Sequence, residues 1–225
     1  MILNIPDILK PDQLAQARGL LEKAEWIDGK ASAGAQAAQV KNNQEISKDD
    51  TAAQKVAQMI TASLAANKLF AMAALPAKIS APAFNRYEGR QTYGPHVDNA
   101  IRPLPGGSLI RGDISATLFL SDPGEYDGGE LTTEDTFGTH QIKLPAGHMV
   151  IYPASSLHQV KPVTRGARLA SFFWIQSIVR NDQQRTLLLD LELATQNLRQ
   201  SHPQHPSITQ LVGVYNNLLR QWAET

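Results

Sequence analysis

The chain has 225 residues, 42% of them hydrophobic, with 21 basic and 21 acidic side chains and a formal net charge of zero. Without a basic surplus or stripe it is not expected to bind nucleic acid, and no apolar run approaches the length that spans a bilayer. It contains no cysteine, which excludes disulfides, thiolate zinc sites, iron–sulfur clusters and cysteine nucleophiles, and fits a reducing, cytoplasmic setting.

The first residues, Met1-Ile-Leu-Asn-Ile-Pro6, carry neither a basic leader nor a long apolar run, so no signal peptide is expected. Pro11 to Trp26 places Leu14, Ala17, Leu21 and Ala24 at helical spacing behind a first-turn proline. Asp28 to Glu45, rich in Ala, Gly, Gln and Asn, reads as a mobile loop suited to a lid. Ser47-Lys-Asp-Asp50 resembles a capping box and opens a second helix, on which Val56, Ile60 and Leu64 recur every four residues.

From about Ala77 short β-like segments alternate with turns. They are 78–87, 113–120, 130–133, 139–144, 148–152, 158–162 and 167–177, separated by Pro- and Gly-containing breaks such as Asp122-Pro-Gly124 and Asp127-Gly-Gly129. Seven or eight such strands predict a sandwich or jelly roll rather than a parallel α/β sheet. The tail turns helical again, with Asp182 as a cap for a helix through Leu198. Ile208, Leu211, Val212, Tyr215, Leu218, Leu219 and Trp222 then form one apolar face on a second helix. The expected fold is mainly β with flanking helices. It comprises an N-terminal helical region (1–76) integral to the core, a jelly-roll core (77–178) and a C-terminal helical hairpin (179–225). Packing on the jelly roll is the default for that hairpin, and formation of a homo-oligomer is the alternative.

The chemistry concentrates in His96-Val97-Asp98, His158 and Arg168. On an extended segment the two-residue spacing of His96 and Asp98 sends both side chains to one face. His158, sixty positions beyond Asp98, lies at a separation that returns a strand beside the first in a jelly roll. Two imidazoles and a carboxylate match the facial triad of non-haem Fe(II) oxygenases, which leaves open positions for a chelating cosubstrate and O2.

Arg168 opens the apolar segment Arg168-Leu-Ala-Ser-Phe-Phe-Trp174, so it should be buried, yet no acidic residue is near it in sequence. A buried guanidinium needs a carboxylate partner, and the far carboxylate of 2-oxoglutarate supplies one while its keto-acid end chelates iron. The chemistry this set supports is decarboxylation of the keto acid to succinate and carbon dioxide, coupled to hydroxylation of a C–H bond.

His140 and His148 compete for the third ligand position, but both are expected to face solvent. Tyr87 is either a hydroxyl donor to the cosubstrate or a packing residue, and Asn99 either orients Asp98 or closes a turn. Arg86, Arg90, Arg102 and Arg111 flank the triad and read as solvated surface residues, with an anion-attracting mouth as the minority alternative.

Leu75-Pro76, Phe84-Asn-Arg-Tyr87, Tyr93-Gly-Pro-His-Val-Asp-Asn-Ala-Ile-Arg102, Ser115-Ala-Thr-Leu-Phe-Leu-Ser121, Gly128-Gly-Glu-Leu131 and Pro153-Ala-Ser-Ser-Leu-His158 resemble the bacterial PKHD-type hydroxylases over essentially the whole chain. These form a branch of the prolyl-4-hydroxylase-like Fe(II)/2-oxoglutarate dioxygenases that includes PiuC-type proteins linked to iron uptake. The resemblance implies a double-stranded β-helix core, Fe(2+) at His96, Asp98 and His158, 2-oxoglutarate at Arg168, and L-ascorbate as a reductant for oxidised iron. Related halogenases carry a small residue in place of the carboxylate ligand, so Asp98 implies hydroxylation of a small-molecule or peptidyl substrate that the sequence does not identify. Two other readings use the same residues. One is a non-catalytic jelly-roll sensor of iron or a ligand, and the other is a cupin-like metalloenzyme that does not use 2-oxoglutarate.

Overall fold

Alternating side chains drive the middle of the chain into two facing antiparallel sheets. They are seen in a computed structural model that describes residues 1–32, 34–136 and 138–224. Among these residues the larger sheet runs in the order Leu3–Ile5, Met149–Pro153, Ile114–Phe119, Val163–Ser177, Ala83–Glu88, Gln44–Ile46, Trp26–Asp28. The smaller runs Gly138–Ile142, Leu131–Asp135, His158–Val160, Thr92–His96, Lys41–Asn42. The jelly-roll expectation is therefore met. Val163–Ser177, 15 residues long, is the spine: Ile114–Phe119 pairs along one edge and Ala83–Glu88 along the other.

The two-residue period divides each strand between two cores. Ala116, Leu118, Met149, Ile151, Phe173 and Ile175 face outward and meet the helices in one apolar cluster. Phe119, Val150, Tyr152 and Val163 face inward, with Tyr87 and Tyr126, against Leu131 and Val160 of the smaller sheet. Arg168 and Trp174 share the inward parity of Val150 and Tyr152 across the paired strands, so the same alternation that builds the core also aims polar groups into the space between the sheets.

The helices cover the outer face of the larger sheet. Pro11–Leu21 begins with its proline in the first turn, and it ends five residues short of Trp26 because Trp26 enters a strand opposite Ile46. Thr51–Ala66 is capped by Asp50, whose carboxylate accepts from the Ala53 amide, and not by Ser47. Its Val56, Ile60 and Leu64 are all 0% exposed, each such burial stabilising the fold by about 1.5–3 kcal/mol.

The segment 28–45 differs from the expected mobile loop. Lys41–Asn42 adds to the smaller sheet beside Thr92 and Tyr93, and Gln44–Ile46 adds to the larger one beside Asn85 and Arg86. It is thus a strap between the sheets, recorded in pairing rather than in hydropathy; its Ala33 lies outside the described residues.

Asn181, one residue before the expected Asp182, caps the helix Asp182–Ser201. Leu189 of that helix joins the outer cluster, and Arg185, 1% exposed, donates to the carbonyls of Val179 and Arg180. The final helix, Ser207–Trp222, lies against Asp182–Ser201 with its apolar face half-buried. Beyond it the Glu224 amide donates to Ile178 O, and its carboxylate pairs with Arg111 and Arg180. Among the described residues no helix is long and apolar enough to cross a membrane.

Candidate metal centre

His96 ends the strand Thr92–His96, and His158 starts the strand His158–Val160 that pairs with it, so the two histidines stand directly across from one another. Their ring centroids are 4.2 Å apart. Asp98 lies just past the strand end, and one ligand atom from each of the three residues falls within 4.8 Å of the others. His96 Nδ1 donates to Gly94 O at 2.8 Å and His158 Nδ1 to Ser156 O at 3.0 Å. A carbonyl can only accept, so both rings carry their proton on Nδ1 and keep the Nε2 lone pair free to ligate. His158 Nε2 lies 3.7 Å from Asp98 Oδ2.

The electrostatics favour a cation at this point. Burial, and then the neighbouring His158, pull His96 down to about 4, keeping it a neutral donor. Burial alone would raise Asp98. His158, Ser115, Trp174 and Arg102 together outweigh it and hold the carboxyl below its ordinary value. Ser115 Oγ donates to Asp98 Oδ2 at 2.6 Å, and Arg102 Nη2 to Oδ1 at 3.3 Å. These residues, rather than Asn99, orient the carboxylate. Arg102 also departs from a solvated surface role, because its guanidinium lies 3.3 Å over the Trp174 ring. Arg86 and Arg111 pair outside the cavity with Glu88 and Asp113.

Beside the triad, Arg168 is 1% exposed. Its Cζ lies 5.1 Å from the Phe119 ring centre and 5.5 Å from that of Tyr87, which is its cross-strand partner. Arg168 Nε and Nη1 have no partner among the described residues, and neither do the buried hydroxyls of Tyr87 and Tyr126. Gly129 makes the room for this cluster: with φ +68°, it sits where a Cβ would come 2.9 Å from Tyr126 Cε2 and 3.1 Å from Arg168 Cδ. Tyr87 and Arg168 of this cluster line one cavity of about 740 Å³, solvent-open mouth included, which also reaches the triad. Two imidazoles and a carboxylate suit Fe(II). An orphaned buried guanidinium beside phenolic donors suits the far carboxylate of a keto diacid.

The five sequence-predicted residues, His96, Asp98, His158, Arg168 and Tyr87, thus border one cavity. His140 is bound to Asp135 on an exposed strand and His148 lies 3.7 Å from Asp7, both away from it. Ser115, Trp174 and Tyr126 were not anticipated. Ser115 and Thr117 did leave a signal as alternate polar residues in an otherwise apolar strand, whereas Tyr126, before a Gly-Gly turn, left none.

Residues 82–176 match the 2OG-Fe(II) oxygenase superfamily and residues 182–224 the PKHD-type hydroxylase C-terminal domain. A PKHD-type hydroxylase of Bordetella pertussis is 56% identical over 225 residues, covering all of both chains. One from Xanthomonas campestris pv. campestris is 54% identical over 227 residues with the same coverage. Among solved structures, a prolyl hydroxylase from Trichoplax adhaerens superposes with TM-score 0.58 at 14% identity over 83% of this chain and 86% of that one. A Pseudomonas putida prolyl-4-hydroxylase gives 0.53 at 18% identity over 78% and 92%, and both likenesses concern the fold. With relatives this similar along its entire length, the chain belongs to the PKHD-type hydroxylases, within the Fe(II)- and 2-oxoglutarate-dependent oxygenases.

Proposed function

We propose that His96, Asp98 and His158 are the iron ligands, that Arg168 binds the far carboxylate of 2-oxoglutarate, and that Tyr87 donates its hydroxyl to the same cosubstrate. The observation that carries this reading is Arg168: a fully buried cation with two unpaired donor nitrogens and no carboxylate partner among the described residues. Such a group is costly unless a ligand completes it. The bound iron and cosubstrate supply the oxidising power, as 2-oxoglutarate and O2 become succinate and carbon dioxide and a substrate C–H bond becomes C–OH.

The chain's own share is positioning. The Nδ1–H bonds to Gly94 and Ser156 aim both imidazoles, Ser115 and Arg102 fix the carboxylate, and Arg168 sets the length of ligand the cavity takes. Phe172 and Trp174 line the cavity that reaches the metal position, where their apolar rings would limit the access of water to the bound cosubstrate. L-Ascorbate, as the reductant that returns oxidised iron to Fe(II), completes the reading, as do a cytoplasmic location and an unidentified small-molecule or peptidyl substrate connected with iron uptake. We further take residues 1–76 as integral to the 77–178 core, with 179–225 as an appended hairpin whose half-buried face is available for a homo-oligomer.

Titrating the protein with Fe(II) and 2-oxoglutarate without oxygen, then admitting oxygen, tests the assignment. A charge-transfer band requiring both additions, followed by oxygen-dependent succinate, is expected. Full turnover by Arg168→Ala at low cosubstrate concentration would refute the role given to Arg168.

A further inference from the structure

The strap between the two sheets brings a polar row into the cavity. Lys41, Asn43 and Glu45 alternate along it, are 4%, 3% and 8% exposed, and all line the cavity. Lys41 and Glu45 satisfy one another through an ion pair of 2.5 Å. Neither Oδ1 nor Nδ2 of Asn43 has a partner in full hydrogen-bond geometry among the described residues, although the amide stands close enough to Tyr87 to act on its hydroxyl.

The register gives this amide an address. Gln44 pairs with Arg86 and Glu45 with Asn85, so one step further along the same antiparallel register Asn43 stands opposite Tyr87. Tyr87 in turn pairs with Arg168 on its other side. Cross-strand partners put their side chains on one face. Asn43, Tyr87 and Arg168 therefore form a row across three strands, each at most 3% exposed and each with unpaired polar atoms. The Asn43 Oδ1 lies toward Gly29, where a Cβ would come within 2.0 Å of it, with the NH2 on the opposite side of the amide.

We propose that Asn43 is a positioning residue: its amide N–H donates to the Tyr87 oxygen, which turns the Tyr87 hydroxyl proton away from the strap and toward the cosubstrate. A phenol that accepts one hydrogen bond has its own proton free for a second partner, and an acceptor-only carboxylate beside Arg168 is that partner. This rests on the reading that Tyr87 contacts 2-oxoglutarate. Burial raises the Tyr87 hydroxyl, against the pull of Arg168 and of the Asn43 amide, so it stays a protonated donor.

The test is a double-mutant cycle read as 2-oxoglutarate affinity, from the charge-transfer absorbance of the Fe(II)-loaded full chain without oxygen. Tyr87→Phe should weaken binding about tenfold and Asn43→Ala about fivefold, the scale of one hydrogen bond. The double variant should bind no more weakly than Tyr87→Phe alone. Asn43→Asp fills the same space but, ionised, accepts the Tyr87 proton itself, so it should bind more weakly than Asn43→Ala; a space-filling role would leave it like the wild type. Fold-losses that multiply in the double variant, or an Asn43→Ala protein with unchanged affinity, would overturn the proposal while leaving Tyr87 in place. Unchanged affinity in Tyr87→Phe would overturn the Tyr87 reading and this inference together.

Discussion

Replacing Arg168 with Met separates a ligand-binding arginine from a structural one, because the two roles move stability in opposite directions. The methionine keeps much of the apolar stem, whose Cδ packs near Gly129, and removes the guanidinium. In the ligand-free protein that guanidinium is buried with two unpaired nitrogens, so its removal relieves an uncompensated charge while leaving a small void. The two effects oppose, and the ligand-free midpoint should stay within about 3 °C of the wild type, or about 1 kcal/mol for a chain of this size. Binding should respond far more. Losing two charge-assisted hydrogen bonds at about 1.5–3 kcal/mol each weakens 2-oxoglutarate roughly 10²- to 10⁴-fold. At a cosubstrate concentration of about 100 times its wild-type Kd, binding contributes about 2.7 kcal/mol to the wild type, or roughly 5–10 °C in midpoint. Arg168→Met should lose nearly all of that increment. Thermal unfolding with Fe(II), with and without 2-oxoglutarate and in the absence of oxygen, reads both quantities. A ligand-free midpoint lowered by more than about 8 °C with the ligand increment intact would show that Arg168 is a structural residue.

Other substitutions probe the surrounding shell. Gly129→Ala should lower stability by about 1–2 kcal/mol through its left-handed backbone, and should also weaken 2-oxoglutarate, since the new methyl meets Tyr126 and the Arg168 stem; calorimetry of the two properties checks whether they move together. Ser115→Ala removes the 2.6 Å donor to Asp98 and should weaken Fe(II) about 10- to 100-fold with little change in fold, as read by competition with a chelating indicator. His96, held at about 4 against an ordinary 6.5, predicts an acid-labile metal-free state. The unfolded chain takes up this proton as pH falls through 6.5, whereas the folded chain resists until about 4, so stability is complete above that window and declines within it. Unfolding midpoints of the metal-free protein across the window should fall with pH, and His96→Gln should flatten the decline; an equally steep fall in the variant would assign it to other groups.

The candidate site was legible to the extent that its chemistry is local. His96 and Asp98 share a face because extended backbone repeats every two residues, and Arg168 stood out because a charge opening an apolar strand has no solvent to go to. The flanking helices were legible for the same kind of reason: Val56, Ile60 and Leu64 announce a buried face by spacing alone, and all three are buried. The strap was not legible. Lys41, Asn43 and Glu45 look like solvated loop residues, and they become cavity walls only because residues 41–46 pair with one sheet and then the other.

Residue type and period thus determined which side chains could ligate iron, which faces would be buried, and that the middle of the chain would form short antiparallel strands. Tertiary structure decided which polar residues serve the site. Strand register set Ser115 and Trp174 on Asp98, Tyr126 beside Arg168, and Asn43 opposite Tyr87. The physical reason is that backbone pairing joins residues far apart in sequence through hydrogen bonds that carry no side-chain signature. Two chains of identical local pattern could therefore differ in these neighbours, and only the register chooses among them.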